Sequence, residues 1–257
     1  MTRHYIPQPI LRAARVLELL ASQKAPMRLS QISRALGISK SSLLGVLSAL
    51  EDLGWLQRES ASGSYRIGVG LLELSRKAFG EWDLPIVAKP LMEQLAESLG
   101  ESIFLGVVKE EHMVILACVE GRGQMSVTSS PGTRLPLLAA ATGKILLAGM
   151  SHEQARQLLE THTLPKFTER SICDPTRFME EVQRARSLGY ATDDEEYLRG
   201  IRAVAAPLLR GSLTIGALWL VGFSSRLSLS SLHQAGKELV RTSGIISRMI
   251  SSQTQAR

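Results

Sequence analysis

The stretch LSQISRALGISKSSLLGVLSALEDLG, residues 29–54, carries two apolar stripes at helical spacing, one on each side of the short turn GIS. The first helix is predicted to begin at Ser30, a preferred N-cap, and to end at Gly37, because glycine tolerates the left-handed conformation of a helix terminus. Ser39 is predicted to cap the second helix, which ends before Gly54. Two helices joined by a short glycine-containing turn predict a helix-turn-helix.

The spacing of apolar residues predicts which side of each helix is buried. The expected buried residues are Leu11, Ala14, Val16, Leu17 and Leu20 in a preceding helix, Ile32, Ala35 and Leu36 in the first helix of the motif, and Leu43, Val46, Leu47, Leu50 and Leu53 in the second. After Gly54, the segments WLQRE and SYRIG are strand-like and are joined by the small polar loop SASG, which predicts a β-hairpin, or wing. We therefore expect a winged helix-turn-helix domain over residues 1–70.

The excess positive charge of the chain lies entirely in its first third. Residues 1–80 contain 11 Lys and Arg against 5 Asp and Glu, whereas residues 81–257 contain 19 of each sign. Such a basic segment is typical of a polyanion-binding domain, although charge alone favours a basic solubilising surface. Combined with the helix-turn-helix and wing, the charge predicts double-stranded DNA as the partner.

The second helix of a helix-turn-helix enters the major groove by its N-terminal end. Lys40 is placed to contact a phosphate there, and Ser41 and Ser42 are small enough for a close approach to backbone or base edges. Arginines of the first helix and the wing would contact the flanking backbone. The predicted DNA-contacting residues are Arg28, Arg34, Ser39, Lys40, Ser41, Ser42, Gly45, Arg58 and Arg66.

The bulk composition excludes several classes of protein. The 257 residues are 44% hydrophobic but contain no apolar run near the roughly 20 residues that span a bilayer, and MTRHYIPQP lacks the apolar stretch of a secretion signal. The two cysteines, Cys118 and Cys173, are far apart and form no C-x-x-C. We therefore expect a cytoplasmic protein without membrane partner, disulfide framework or zinc ribbon.

The remainder of the chain has the pattern of an α+β domain. A linker helix is expected over residues 71–82, followed by a helix ending at Gly100 and by a hairpin from ESIFLGVVK and HMVILACVE. QMSVTSS is predicted as a third strand, and IRAVAAPLLR with LTIGALWLVGF as a second strand pair. Expected helix caps are Ser151 with Gln154, and Asp174 followed by Pro175, with Gly189 ending that helix; a final helix from about Ser230 buries Leu232, Leu239, Ile246 and Ile250.

Two segments resemble catalytic motifs only superficially. AAATGKILLAG contains TGK, but a phosphate-binding loop needs glycine at the position of Leu138 and Ser or Thr at that of Ile145. What remains is a helix beginning near Thr142, whose free N–H groups favour a carboxylate, or an ordinary buried helix start. DDEE, residues 193–196, has no neighbouring histidine to complete a metal set, and no nucleophile–base arrangement is visible. We expect no enzyme activity, metal or cofactor.

Residues 29–59 with YRIGVGLLEL resemble the DNA-binding half of the IclR family of bacterial transcriptional regulators. GTRLPLLAAATGKILLAG and RSLGYATDDEEYLRGIRAVAAPLL resemble two segments of its effector-binding half. The resemblance extends from about Ile10 to Arg226. It implies a winged helix domain, a linker helix, and a GAF-like domain over residues 83–257 that binds an effector and assembles the chain into a homodimer or homotetramer.

The resemblance also implies effector contacts at Met125, Ala141, Thr142, Gly143, Asp193, Ala203, Trp219 and Val221. In members that bind small hydrophilic acids, serines tend to match Trp219 and Val221, and cysteine tends to match Ala203. The departures predict an aromatic or otherwise apolar organic acid as effector, unless Trp219 is simply a core residue.

A third departure falls on the recognition helix, where Gly45 replaces an arginine common in the family. Because arginine is the commonest reader of guanine, the operator of such relatives does not transfer to this chain. Gly45 also weakens the helix, and we hypothesise that it permits close approach to the DNA backbone or to a neighbouring helix. The sequence predicts a ligand-responsive transcriptional regulator, repressor or activator. The alternative is a small-molecule sensor or enzyme whose winged module contacts proteins.

Overall fold

The computed structural model describes residues 7–23, 25–79, 84–123 and 125–255, and the chain forms two compact units, residues 1–82 and 83–257. Unit 1 contains α1 (Gln8–Ala21), α2 (Leu29–Leu36), α3 (Lys40–Asp52), β1 (Leu56–Arg58), β2 (Tyr65–Ile67) and α4 (Gly70–Phe79). The predicted linker helix corresponds to α4, and its last three residues, 80–82, lie outside the described ranges.

The helix-turn-helix is present as predicted, and its turn is fixed by local hydrogen bonds. Gly37 ends α2 with φ of 66°, and Ser39 caps α3 by accepting a hydrogen bond from the Ser42 N–H at 3.3 Å. The predicted start of α2 is wrong by two residues. Arg28, not Ser30, precedes the helix, and its backbone N–H donates to Gln31 Oε1 at 2.7 Å. The glutamine side chain thus satisfies the N-terminal backbone without a hydroxyl cap.

The core of unit 1 lies between α1, α2, α3 and the wing. Its buried residues are Val16, Leu20, Ile32, Leu43, Leu47, Leu50, Leu56 and Tyr65. Four residues predicted to be buried are exposed: Leu11 (39%), Leu53 (58%), Ala14 and Ala35. Leu11 and Ala14 lie on the side of α1 away from Val16, and none of the other described elements of unit 1 buries the four residues.

The wing is an antiparallel hairpin of β1 and β2, as predicted, with Leu56 opposite Ile67 and Arg58 opposite Tyr65. Tyr65 also pairs with Met27, since each backbone N–H donates to the other residue's carbonyl at 2.8 and 2.9 Å. This bridge attaches the hairpin to the segment preceding α2.

Unit 2 contains α5 (Leu84–Leu99), β3 (Ser102–Lys109), β4 (His112–Val119), β5 (Arg134–Pro136), α6 (Ala140–Ala148), α7 (His152–Thr161), α8 (Pro175–Leu188), β6 (Ala191–Asp194), β7 (Ile201–Arg210), β8 (Leu213–Phe223) and α9 (Leu229–Gln255). Among its described residues, six strands form one antiparallel sheet in the order β5-β4-β3-β8-β7-β6. The predicted α+β class is confirmed.

Helices cover the sheet of unit 2. α6 and α8 pack against the face that carries Ala203 and Ala205 of β7, in a cluster with Phe104 and Trp219. Because successive strand residues point to opposite faces, the buried Val204 belongs to the other face. α9 packs along β7, and α5 packs against β3 and α9.

The third strand of unit 2 lies elsewhere than predicted. Residues 125–130 of QMSVTSS form no strand, and Gln124 lies outside the described ranges. Arg134–Pro136 pairs with β4 instead, with Val114 opposite Arg134 and His112 opposite Pro136. The β-prone residues 127–129 contribute to a cavity wall, described below, so their apolar and hydroxyl groups do not signal strand pairing.

The predicted helix caps of unit 2 are confirmed. Ser151 and Gln154 bond reciprocally, Asp174 accepts from the Arg177 N–H at 2.8 Å, and Gly189 ends α8 with φ of 79°. α9 begins at Leu229 and buries Leu232, Leu239, Ile246 and Ile250 as expected. No helix in the described part of the chain combines the length and apolarity that crossing a membrane requires.

Candidate nucleic-acid interface and ligand cavity

The N-terminal half of α3 exposes a polar face with mostly short side chains to solvent. Leu43 and Leu47 are fully buried, whereas Lys40, Ser41 and Gly45 are exposed on the other side of the helix. The apolar residues of α3 thus lie on one face, which packs in the core, and leave the other face exposed. A recognition helix requires this arrangement.

Three serine hydroxyls cluster at the start of α3. The Ser39 hydroxyl donates to Ser42 Oγ at 2.9 Å and lies 3.2 Å from Ser41 Oγ, while it accepts the Ser42 N–H. The first backbone N–H groups of a helix have no partner within the helix, so this end carries partial positive charge. With Lys40 beside it, the cluster has the composition of a phosphate-contacting surface.

The predicted DNA-contacting cations are exposed in unit 1. Arg28 precedes α2 and Arg34 lies in its last turn, and Lys40 opens α3. Within the described residues, none of these three has a carboxylate within 4.0 Å, and the same holds for Arg58 and Arg66. Their charges are thus available to an external anion.

The two wing arginines lie on opposite faces of the hairpin. Arg66 is opposite Gln57, whose Oε1 accepts from its guanidinium at 2.7 and 3.0 Å. Arg58 is opposite Tyr65 and lies over that ring, 5.6 Å from its centroid. Because neighbouring strand residues alternate in direction, the two side chains point away from each other and would contact different phosphates.

Gly45 has open space where a side chain would project. A Cβ built there has no atom within 4 Å beyond its own helix backbone, and the residue has ordinary helical φ. No helix among the described residues of unit 1 therefore requires a glycine at this position.

Unit 2 encloses a cavity of about 280 Å³ between the sheet, the N-terminus of α6 and the loop after β6. Its walls are mostly apolar, and the lining residues are Phe104, Ile115, Val127, Thr128, Ser129, Thr133, Leu135, Ala139, Ala140, Ala141, Thr142, Asp193, Tyr197, Leu198, Ile201, Ala203, Trp219 and Val221. Six of the eight predicted effector contacts are among them: Ala141, Thr142, Asp193, Ala203, Trp219 and Val221.

The structure places two predicted effector residues elsewhere. The Met125 side chain is 65% exposed, and its carbonyl accepts from the Arg226 guanidinium at 3.0 Å. Gly143 lies in the first turn of α6, where an added Cβ would be 2.7 Å from the Leu138 carbonyl carbon. The close packing of α6 against the preceding segment thus explains why this position is a glycine.

The helix at the cavity begins at Ala140, two residues before the predicted start near Thr142. Ala140 adopts φ of 37°, which an L-residue rarely adopts, and this turns the chain abruptly into α6. The Thr142 hydroxyl donates to the Ala139 carbonyl at 2.8 Å. The early N–H groups of α6 face the cavity end of the helix and provide a partial positive charge there.

Asp193 is the acidic group in the cavity wall, and it is 4% exposed. Burial, and then repulsion from Glu196, raise the pKa of Asp193 to about 7, although it accepts the Glu196 N–H at 2.6 Å. The carboxyl is therefore substantially protonated at neutral pH. In that form it can donate a hydrogen bond to a bound anion instead of repelling it.

A buried ion pair supports this corner of the cavity. Lys144, 1% exposed, donates from Nζ to Glu196 Oε1 at 2.5 Å and to the Thr192 carbonyl at 2.9 Å. It connects α6 to β6 and to the loop that carries Tyr197. The pair was not predicted, although a lysine within the apolar run TGKILL was the available signal, since a buried ammonium needs a partner.

The tryptophan in the sheet forms the flat part of the wall. Trp219 is 4% exposed and stacks on Phe104, with ring centroids 5.5 Å apart and planes inclined by 13°. Tyr197 and Leu198, which also line the cavity, belong to the loop after β6. Thr168 and Ser171 hold that loop by donating to the carbonyls of Glu195 and Glu196, each at 2.7 Å.

No group of three or more His, Cys, Asp or Glu side chains in the described ranges is arranged to hold a metal ion. The described residues thus form two separate candidate sites: a basic helix end in unit 1, and in unit 2 an apolar cavity with a helix N-terminus and one buried acid.

Two family models together match most of the chain: one described as the IclR helix-turn-helix domain, over residues 9–60, and one as the bacterial transcriptional regulator IclR C-terminal domain, over residues 76–248. The chain is 30% identical over 246 residues to the HTH-type transcriptional regulator XynR of Escherichia coli K12, covering 95% of this chain and 98% of XynR. It is 34% identical over 223 residues to the glycerol operon regulatory protein of Streptomyces coelicolor, covering 86% of each.

Among solved structures, an IclR homologue from Microbacterium hydrocarbonoxydans has a TM-score of 0.78 with 23% identity, covering 94% of this chain and 100% of that one. The match extends over both units, so the fold of each unit is one that solved structures share.

Proposed function

Because the chain belongs to the IclR family of bacterial transcriptional regulators, we propose that it binds a two-fold symmetric operator and that a small organic acid modulates this binding. Residues 1–70 form the DNA-binding domain, residues 71–82 the linker helix, and residues 83–257 the effector-binding and oligomerisation domain. The observation that carries the proposal is the coexistence of a free basic helix end in unit 1 and an apolar cavity containing a helix N-terminus in unit 2.

The proposed DNA surface is the N-terminal half of α3 with the flanking arginines. The Ser39 cluster and Lys40 would contact phosphate, Ser41 and Ser42 would approach the base edges, and the flanking arginines would fix the register. Operators with two-fold symmetry require two winged units, so the chain functions as a homodimer or homotetramer. The half-sites are then expected about 10 base pairs apart or at multiples of that spacing.

The proposed effector is an aromatic or otherwise apolar organic acid. Trp219, Ala203 and Val221 give the cavity apolar walls, and the α6 N-terminus with protonated Asp193 gives it a place for a carboxylate. The volume of about 280 Å³ suits a molecule of one ring. The structurally similar Microbacterium protein was solved in complex with 4-hydroxybenzoate, which makes benzoates a reasonable first set of probes.

The effector acts by binding one arrangement of the two winged domains more tightly than another. The shift in DNA affinity cannot exceed the difference in effector affinity between the two arrangements. By linkage, DNA changes the affinity for the effector by the same factor as the effector changes the affinity for DNA, so the coupling can be measured by titrating either ligand.

A gel shift with the DNA flanking the chain's own gene tests the DNA half of the proposal. We expect a discrete complex that survives excess nonspecific competitor, and Lys40→Ala should weaken it. Failure of the full-length protein to retard this DNA more than a scrambled duplex would refute operator binding there and favour a winged module that contacts proteins.

Fluorescence tests the effector half. In a Trp55→Phe/Trp82→Phe variant, Trp219 is the remaining tryptophan, and a ligand stacked on the cavity wall should change its emission. 4-hydroxybenzoate and benzoate are the probes, and glyoxylate is the hydrophilic control. An effector that releases DNA without altering Trp219 emission would refute this assignment of the cavity.

A further inference from the structure

The exposed face of α3 carries one large apolar side chain in its N-terminal half. Leu44 is 52% exposed, although its neighbour Leu43 is fully buried. Helical spacing places the exposed Ser41 and Ser48 on one side of Leu44, and the exposed Lys40 and the fully buried Leu47 on the other. Leu44 therefore lies on the flank of the exposed face, next to the residues that open the helix.

Apart from Lys40, the exposed residues around Leu44 are short. Ser41 Oγ lies within 3.2 Å of Ser39 Oγ and belongs to the cap of the helix, and Gly45 has no side chain. The space above Gly45 is empty to 4 Å. Leu44 therefore projects farther from the helix than Ser41, Gly45 and Ser48, and no side chain at Gly45 covers it.

The major groove offers a leucine little that is apolar. Its base edges present hydrogen-bond donors and acceptors, and the exception is the 5-methyl group of thymine. A leucine pressed against any other edge would remove water from a polar group without replacing its hydrogen bond. On a helix whose start is basic and capped by hydroxyls, the fitting contact for Leu44 is thus a thymine methyl.

We infer that Leu44 contacts the 5-methyl group of a thymine in each half-site and makes the chain select thymine at that position. The inference rests on the proposed operator binding and deepens it. A helix without a guanine-reading arginine near Gly45 would draw part of its sequence preference from this apolar contact.

The test compares thymine with deoxyuridine, which pairs identically and lacks the methyl group. Duplexes selected by the wild-type chain from a randomised library are resynthesised with each thymine replaced in turn by deoxyuridine. Dissociation constants are measured by fluorescence anisotropy for the wild type, Leu44→Ala and Leu53→Ala. Leu53 is the matched control because it is a leucine at the other end of α3 and is 58% exposed.

We expect the wild type and Leu53→Ala to lose about fourfold in affinity per half-site at one thymine position, as removal of a buried methyl group predicts. Leu44→Ala should bind the thymine and deoxyuridine duplexes at that position equally well. Equal sensitivity in Leu44→Ala, or no sensitive position in the wild type, would overturn the inference while leaving operator binding intact. Selection of no sequence at all would overturn the inference together with the proposed operator binding.

Discussion

Replacing Asp193 by asparagine is expected to remove a pH dependence from the stability of unit 2. The carboxyl is 4% exposed, and burial with nearby Glu196 raises its pKa from 3.8 to about 7. Between these two values the folded chain holds a proton that the unfolded chain has released. Stability from this group is therefore complete below pH 3.8 and falls as the pH rises toward 7.

The magnitude follows from the two pKa values. The free energy of unfolding of the wild type, relative to Asp193→Asn, should fall by about 2 kcal/mol between pH 5 and pH 7, and by less than about 0.5 kcal/mol between pH 7 and pH 9. Asparagine retains the oxygen that accepts the Glu196 N–H, so the hydrogen bond at this position is preserved.

Urea unfolding followed by Trp219 emission, in the Trp55→Phe/Trp82→Phe background, measures this difference in unit 2. Glu93→Gln is the control, because the Glu93 side chain is 54% exposed on α5 and should leave the pH profile unchanged. A difference between wild type and Asp193→Asn that stays constant from pH 5 to pH 9 would show that the buried carboxyl is already ionised at pH 5, which would refute the reasoning.

Four further outcomes are expected. If an organic acid binds only when Asp193 is protonated, the wild-type affinity should fall about tenfold from pH 6 to pH 8, whereas Asp193→Asn should show no change in a fluorescence titration. Lys144→Met should lower the free energy of unfolding by about 3–5 kcal/mol, because it leaves Glu196 buried and unpaired, and adding Glu196→Leu should recover most of that loss in urea unfolding. Gly45→Ala should stabilise the chain by up to about 1 kcal/mol in calorimetry yet weaken operator binding; unchanged DNA affinity would contradict a close approach at this residue. Lys40→Ala should reduce the salt slope of DNA binding by about 0.9 per winged unit, or about 1.8 for two units on one operator, and an unaltered slope would show that Lys40 does not contact phosphate.

The sequence predicted the helices and strands better than it predicted which of their residues are buried. Caps are local, so Gly37, Ser39 and Asp174 were identified from neighbours within four residues. Whether a side chain is buried, in contrast, depends on which other elements of the fold pack against it. Leu53 has the spacing of a core residue, yet none of the described elements of unit 1 covers it, and no sequence window contains that information.

The same limit applies to the cavity. The six lining residues that the family resemblance indicated come from α6, β6, β7 and β8, which meet only in the folded sheet. The buried ion pair joins Lys144 to Glu196, 52 residues apart, and DDEE by itself resembled a solvated loop. The prediction of a strand at QMSVTSS was wrong. β-propensity reflects how well a side chain fits a half-buried surface, and a cavity wall is also such a surface.

The centre of the unit 2 sheet has a consequence for synthesis of the chain. β3 pairs with β8, so Ser102 meets Val221 across more than a hundred intervening residues. Unit 1 is complete in the sequence at residue 82, but the central ladder of unit 2 cannot close until β8 has left the ribosome. Such distant pairing folds slowly, since the loop must close before its contacts form. A chain cut short before residue 213 would therefore carry an intact winged unit beside strands lacking their central partner, exposed to aggregation and proteolysis.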